Sequence, residues 1–136
     1  KITDNVKSIY SKNNLHFIIK NDNSLWVWGH FYKGIFNEDV SSISLPYKLM
    51  DDVKSINIED GNNSSIHIIK QDNSLWAMGR NEDTQLGDGT KTNRFNPVKI
   101  MDEVESVGNY TLLKKDGSLW QWGKYNGSNS PVKVID

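Results

Sequence analysis

The chain has 136 residues, a formal net charge of −1 and no cysteine. Its 16 basic and 17 acidic residues are interspersed, so no basic block can follow a phosphate backbone, and we expect no nucleic-acid partner. The lack of cysteine excludes disulfides and thiolate chemistry, and it fits an intracellular or an extracellular location. No apolar run approaches the roughly 20 residues of a membrane span, so we expect no membrane insertion.

One ten-residue motif occurs three times, at 20–29, 70–79 and 114–123. In each copy an Asp-Asn or Asp-Gly step separates an apolar run from the tripeptide Ser-Leu-Trp. Repetition at this period indicates one supersecondary unit copied in tandem. Asn and Gly tolerate positive φ, so the motif predicts a hairpin closed by a two-residue primed turn.

Two further segments flank the motif in every copy. Each copy begins with a short alternating segment, typical of a strand, that starts at Val6, Val53 and Val104. Each copy ends in a segment led by a proline, at Pro46, Pro97 and Pro131. A leading proline suits the first residue of an edge strand, which needs no ladder donor there.

Four short strands per copy, with turn residues between them, are the layout of a β-propeller blade. We therefore predict an all-β fold of about three four-stranded antiparallel sheets that form a partial propeller. The repeats are predicted at about 1–51, 52–102 and 103–136 within a single repeat domain. The strand after each turn places bulky residues on one face, which we expect to be core rather than a ligand platform: Trp26, Trp28, Trp76, Met78, Trp120 and Trp122.

Two stretches resemble a known repeat. Residues 79–90, followed by Pro97 and Val98, and residues 116–123 are similar to the regulator of chromosome condensation repeat, whose members form seven-bladed β-propellers. The first copy has Gly34-Ile35-Phe36-Asn37 in place of the Gly-Gln-Leu-Gly segment, and the third copy lacks it. The resemblance would place such degenerate copies in large bacterial surface or secreted proteins; a cytoplasmic location stays open.

Three blades cannot close a ring, because propellers close with about 4 to 8 blades. The open faces are an aggregation hazard. We expect the ring to be completed either by more repeats in a longer parent chain or by a second copy of this chain as a homodimer.

Catalytic and metal-binding patterns are weak in this sequence. The closely spaced acidic pairs lie where solvated loops are expected: 38–39, 51–52, 59–60 and 82–83. The three histidines occupy non-equivalent positions in the repeats, so their spacing indicates neither a metal site nor a histidine-assisted nucleophile. The loop at 81–89 lacks the ligand spacing of an EF-hand. We expect no catalytic residue, no cofactor and no metal.

The remaining function class is surface recognition through the loops that differ between copies. The resemblance implies the same, because relatives include a nucleotide-exchange factor for a small GTPase, ubiquitin-ligase subunits and an inhibitor of β-lactamases. We therefore predict a noncatalytic scaffold for protein recognition, whose partner the sequence does not identify. A carbohydrate- or cell-wall-binding module is the alternative, and a propeller enzyme is a third class.

The predicted contact patch consists of Phe31, Tyr32 and Tyr125, because aromatic side chains anchor interfaces and stack on sugars. Phe31 and Tyr32 belong to the most apolar of the copy-specific loops, which runs from 29 to 36. For the neighbouring Ile35 and Phe36 we favour a structural role, in which both side chains are tucked under the loop.

Overall fold

The computed structural model describes residues 2–31, 35–36, 39, 41–59 and 65–135. These residues form twelve strands in three antiparallel sheets of four neighbouring strands each. Sheet 1 contains β1 (Val6–Lys12), β2 (Leu15–Lys20), β3 (Leu25–His30) and β4 (Ser42–Met50). Sheet 2 contains β5 (Val53–Ile58), β6 (Ser65–Lys70), β7 (Leu75–Gly79) and β8 (Arg94–Met101). Sheet 3 contains β9 (Val104–Gly108), β10 (Thr111–Lys114), β11 (Leu119–Gly123) and β12 (Ser128–Ile135).

Consecutive strands are neighbours within every sheet, which is the up-and-down order of a propeller blade. The predicted all-β fold with three four-stranded sheets is therefore confirmed, and the sheets do not close into a ring. The prolines lie on the edge strands β4, β8 and β12, as predicted, but inside these strands rather than at their first residues. Each proline lies within an irregular stretch of the pairing with the preceding strand, where a missing N–H is tolerated.

The hairpin between the second and third strands of each sheet is confirmed, but the primed turn is wrong. Asn73 N donates to Lys70 O at 2.9 Å and Lys70 N donates to Ser74 O at 3.0 Å, which encloses three loop residues. Only the last loop residue has positive φ, 62° at Asn73. This is a type I turn followed by a left-handed residue. The equivalent residues Asn23 and Gly117 also have positive φ.

The aspartate of the motif explains this turn. Asp72 Oδ1 accepts hydrogen bonds from Ser74 N at 2.9 Å and from Ser74 Oγ at 2.6 Å. Ser74 Oγ in turn accepts a bond from Trp76 Nε1 at 2.9 Å. The same chain of bonds recurs in the first copy and in the third copy. These bonds lower the pKa of the Asp72 carboxyl, and they fix the aspartate so that the residue after it must be left-handed.

Because Asn73 is left-handed, Asn73→Gly should change the free energy of unfolding by less than about 1 kcal/mol. Glycine adopts positive φ without strain, and its greater freedom in the unfolded chain offsets that gain. Asn73→Ala should instead destabilise by about 1 kcal/mol, because alanine is strained there. Urea denaturation of both variants measures the difference. A loss above about 1 kcal/mol for Asn73→Gly would contradict the left-handed conformation.

The core lies between the sheets and uses both sheet faces. Buried side chains of β2 and β3 in sheet 1 pack against those of β5, β6 and β7 in sheet 2, and a second cluster joins sheet 2 to sheet 3. The prediction that the Trp face forms the core is only partly right. Met78 and Trp122 are buried, but Trp26, Trp76 and Trp120 are half-buried, and the side chains of Leu25 and Leu75 on the opposite face are fully buried.

Candidate functional site

The long loop between β7 and β8, residues 80–93, is organised by one buried side chain. Asn81 is fully buried, and its Nδ2 donates to Asp88 Oδ1 at 2.9 Å and to Thr90 O at 3.0 Å. Asn81 Oδ1 accepts a bond from Leu86 N at 3.0 Å. The loop therefore has a fixed shape set by its own polar groups, although it contains no regular strand or helix.

The Asp88 carboxylate is a second centre of hydrogen bonding in this loop. Its carboxylate accepts bonds from Arg94 Nε at 2.7 Å and from Thr90 N at 2.9 Å, in addition to the bond from Asn81. Burial raises the pKa of Asp88, but the hydrogen bonds from Arg94, Thr90 and Asn81 outweigh it and leave the pKa below its ordinary value. Asp88 is therefore a charged structural acceptor rather than a proton donor at neutral pH.

The loop at 80–93, which we call the clasp, is hydrogen-bonded to sheet 3. Trp122 Nε1 donates to Gln85 O at 2.9 Å, and Gly89 N donates to Asn129 O at 3.0 Å. Gly87 has a φ of 72°, and a Cβ at this position would lie 3.1 Å from the Trp122 indole. Glycine is required here both for the left-handed backbone and for the close approach to the ring.

His67 lies beneath the clasp and is 1% exposed. Its Nε2 is 3.4 Å from Leu86 O, which can only accept, so this nitrogen carries the proton. Its ring centroid is 5.5 Å from that of Trp122. Burial lowers the pKa of His67 to about 4, against the opposing effect of the bond to Leu86. His67 is therefore a fully buried residue of β6.

Two further polar groups are buried at the same junction of sheets 2 and 3. Glu59 is 6% exposed and accepts a hydrogen bond from Ser65 Oγ. This corrects the prediction that residues 59–60 lie in a solvated loop; Asp60 is outside the described residues. Tyr110 is 8% exposed, and burial, followed by the negative charges of Glu59 and Asp83, raises its pKa to about 12. Tyr110 is therefore an uncharged packing residue at every physiological pH.

A small cleft opens where the clasp meets sheet 3. Its volume is about 160 Å³, and residues of both signs of charge line it together with glycines: Asp83, Thr84, Lys91, Gly123, Lys124, Gly127 and Asn129. Tyr125 follows Lys124 directly and is 68% exposed. Its ring meets the Tyr110 ring edge to face at 5.7 Å, and the Lys124 ammonium lies 5.5 Å from its centroid. Tyr125 is thus an exposed aromatic ring that has packing partners on the protein.

The three predicted contact residues do not form one patch in the described structure. Phe31 is 8% exposed and packs edge to face on Phe36, with ring centroids 4.8 Å apart, in the core between sheets 1 and 2. Tyr32 lies outside the described residues. Ile35 is fully buried, as expected for a residue tucked under its loop. Of these three residues, Tyr125 is the one that the structure describes as exposed.

A second, more apolar groove lies between the outer strands β4 and β8. Its volume is about 300 Å³, and its lining residues are Phe36, Ile43, Tyr47, Leu49, Phe95, Asn96 and Pro97. Sequence reasoning missed both openings, because each is built from two sheets. The proline-led segments and the long loop at 80–93 were the sequence features that could have indicated these openings. Neither feature reveals which residues of the neighbouring sheet it contacts.

A metal site and a membrane-spanning helix are two features that the described residues do not show. Within the described ranges, no group of three or more His, Asp or Glu side chains could hold a metal ion. Nor does the described part of the chain include a helix with the length and apolar character of a membrane span.

Comparison with known proteins identifies the repeat. Residues 72–108 match the family model described as "Regulator of chromosome condensation (RCC1) repeat". Residues 72–108 thus resemble one RCC1 repeat. The match begins at the turn aspartate of sheet 2, includes the clasp, and ends with β9 of sheet 3. The matched segment therefore spans the junction between sheets 2 and 3 rather than one whole sheet. No curated protein matches the sequence.

Solved structures agree on the fold. Yeast RCC1 (Prp20), in a crystal structure with Kap60, superposes with a TM-score of 0.76 at 20% identity. Prp20p from Saccharomyces cerevisiae gives 0.74 at 22% identity, and human WBSCR16 gives 0.70 at 16%. The alignments cover 97%, 97% and 96% of this chain but only 37%, 39% and 38% of those chains. This chain thus has the fold of part of an RCC1 β-propeller.

Proposed function

We propose that this chain is a noncatalytic scaffold for protein recognition and that its contact surface is the loop end of sheets 2 and 3. The observation that carries the proposal is Tyr125, an exposed ring that packs on Tyr110. It directly follows Lys124, which lines a cleft together with Asp83 and Lys91. Exposed tyrosines with restricted motion are favoured anchors of protein interfaces, because they lose little conformational entropy on binding.

The related structures support recognition as a class of function. In one of these structures yeast RCC1 is bound to Kap60, and Prp20p binds Gsp1p and histones. Those partners belong to proteins that this chain covers only in part. For this chain we propose a protein partner with a short segment that packs on Tyr125 and places charged groups in the cleft.

Selection of peptides from a displayed random library tests the proposal. We expect peptides that bind the chain, and we expect Tyr125→Ala to weaken them at least tenfold, because a central aromatic anchor is worth more than about 1.4 kcal/mol. Tyr47→Ala is the matched control: Tyr47 is 58% exposed but lies on β4 of sheet 1. Affinities are measured by fluorescence anisotropy, and both variants should unfold at the same urea midpoint as the parent. Equal binding by Tyr125→Ala would contradict the proposed surface.

Carbohydrate recognition is the second candidate, and the same exposed ring favours it. Asn129 lines the cleft, and the exposed Tyr125 directly follows the lining residue Lys124. Sugar sites combine an aromatic face with polar side chains. A glycan array separates the two candidates. Glycan binding that disappears in Tyr125→Ala, together with failure of the peptide selection, would favour the carbohydrate module over protein recognition.

A further inference from the structure

The connection between β11 and β12, residues 124–127, contains the only Asn-Gly step of the sequence, Asn126-Gly127. An asparagine side chain is lost as ammonia when the backbone nitrogen of the next residue attacks its amide carbon. Glycine in the next position favours this attack, because it has no Cβ beside the nitrogen and adopts backbone angles that other residues avoid. Every other asparagine of the sequence is followed by a residue with a side chain.

The Asn-Gly step lies where a ring can form without a clash. Asn126 and Gly127 are both exposed to solvent. Gly127 has a φ of 71°, and a Cβ at this position would meet no described atom within 4 Å outside the adjacent residues. A cyclic imide that joins the two residues therefore meets no steric obstacle from the described part of the chain.

The side-chain amide of Asn126 is oriented by hydrogen bonds that suit the reaction. Ser128 N donates to Asn126 Oδ1 at 3.0 Å, so a donor faces the oxygen on which negative charge develops during the attack. The attacking nitrogen, Gly127 N, donates to Gly123 O at 2.9 Å. This bond must open first, and backbone bonds in exposed loops open at a low free-energy cost.

The two Asp-Gly steps in the described part of the chain differ from this one, because their carboxyl groups are ionised. Asp116 accepts bonds from Ser118 Oγ and Ser118 N, which lower the pKa of its carboxyl. Asp88 is ion-paired with Arg94 at 2.7 Å. An ionised carboxylate repels a nucleophile and has no leaving group, so neither step should cyclise at neutral pH.

We propose that Asn126 is a deamidation site of the folded chain. Gly127 N forms a bond to Asn126 Cγ and gives up its proton, and Nδ2 takes up a proton through water and leaves as ammonia. Water then opens the resulting cyclic imide at one of its two carbonyl carbons, which gives isoaspartate or aspartate at this position. One water is consumed and one ammonia is released, and no oxidant or reductant takes part.

Deamidation would change the surface that includes Tyr125. Either product places a negative charge directly after Tyr125 and two residues after Lys124, which lines the cleft. Isoaspartate also adds a methylene to the backbone between Gly123 and Gly127, whose hydrogen bond closes this loop. An effect on recognition rests on the proposed function, whereas the modification itself does not.

Peptide mapping by mass spectrometry measures the conversion. The folded chain is incubated at mildly alkaline pH, and trypsin then releases residues 125–133, which include both Asn126 and Asn129. Asn129 is followed by Ser130 and is therefore the matched control in the same peptide. We expect aspartate and isoaspartate to accumulate at least about tenfold faster at Asn126 than at Asn129. A sample digested without incubation corrects for conversion during digestion.

Gly127→Ala tests the mechanism. The variant keeps Asn126 but places a Cβ beside the attacking nitrogen, so conversion should slow by at least about tenfold. Its urea midpoint checks that the variant folds. Unchanged conversion in Gly127→Ala, or equal rates at Asn126 and Asn129 in the parent chain, would overturn the proposal.

The parent chain unfolded in urea is the control for intrinsic reactivity. If Asn126 converts in urea but keeps its amide in the folded chain, the fold protects this step and the proposal is overturned. Conversion in both states supports it. Failure of the peptide selection would count against the proposed function alone, since the conversion is measured without a partner.

Discussion

Trp122→Ala should lower the free energy of unfolding by about 3–5 kcal/mol, the usual loss for a large aromatic side chain removed from a core. Trp122 is fully buried and contacts Tyr110, His67 and Gly87. The substitution also removes the donor to Gln85 O, which leaves a buried carbonyl unpaired. Urea denaturation followed by far-UV circular dichroism measures the loss.

Trp76→Ala is the matched control within the same chain. From sequence alone we expect it to cost about 3–5 kcal/mol, as for a core tryptophan. The structure lowers that expectation, because Trp76 is half-buried and its Nε1 bonds to Ser74 in its own turn. Trp122→Ala should therefore be the more destabilising of the two. A smaller loss for Trp122→Ala than for Trp76→Ala would contradict the placement of the Trp122 side chain in the core between sheets 2 and 3.

Acid should destabilise the protein through His67. Its pKa is lowered from 6.5 to about 4 on folding, so between these values the unfolded chain binds a proton that the folded chain excludes. The stability that the neutral ring contributes is fully present above pH 6.5 and is lost as the pH falls toward 4. At about 1.4 kcal/mol per pH unit, this is a loss of about 3 kcal/mol in the free energy of unfolding.

His67→Phe isolates this effect. Sheet 1 has Phe17 at the same register position, fully buried, so an aromatic hydrocarbon fits this site in the fold. His16 and His30 are present in both proteins and cancel in the comparison. Urea denaturation between pH 7 and pH 4.5 should show a steeper loss for the parent chain than for the variant. Parallel pH profiles would show that His67 is not excluded from water.

The repeated motif explains why the fold could be predicted. Three copies of an apolar run, a turn and Ser-Leu-Trp define hairpins by local chemistry, and the flanking strands follow from alternation. The predicted primed turn was wrong because the hydrogen bond from Ser74 N to the Asp72 side chain decides which residue is left-handed. The Asp-Asn pair alone does not decide it. The predicted core face was only partly right: Met78 and Trp122 are buried, but the Trp76 indole N–H bonds to Ser74 in its own turn and the ring stays half-buried.

The site was harder to predict than the fold, because it depends on contacts between sheets. His67 and Glu59 are buried by a loop and a strand that follow them in the chain, so no local pattern marks them. Phe31 was predicted as a surface contact from its apolar loop, but its ring packs on Phe36 in the core between sheets 1 and 2. The prediction of Tyr125 as a contact residue depended least on tertiary contacts, because the short loop around it has little room to bury a ring. The ring is 68% exposed, and its role in binding stays a prediction.

Amide chemical-shift mapping with a selected peptide tests the proposed surface most directly. Assigned proton–nitrogen spectra of the chain would be recorded during titration with the peptide. We predict that the shifted amides belong to residues 80–93 and 123–130, with Tyr125 among the most affected. Shifts confined to the groove between β4 and β8, around Tyr47 and Phe95, would contradict recognition at the loop end of sheets 2 and 3.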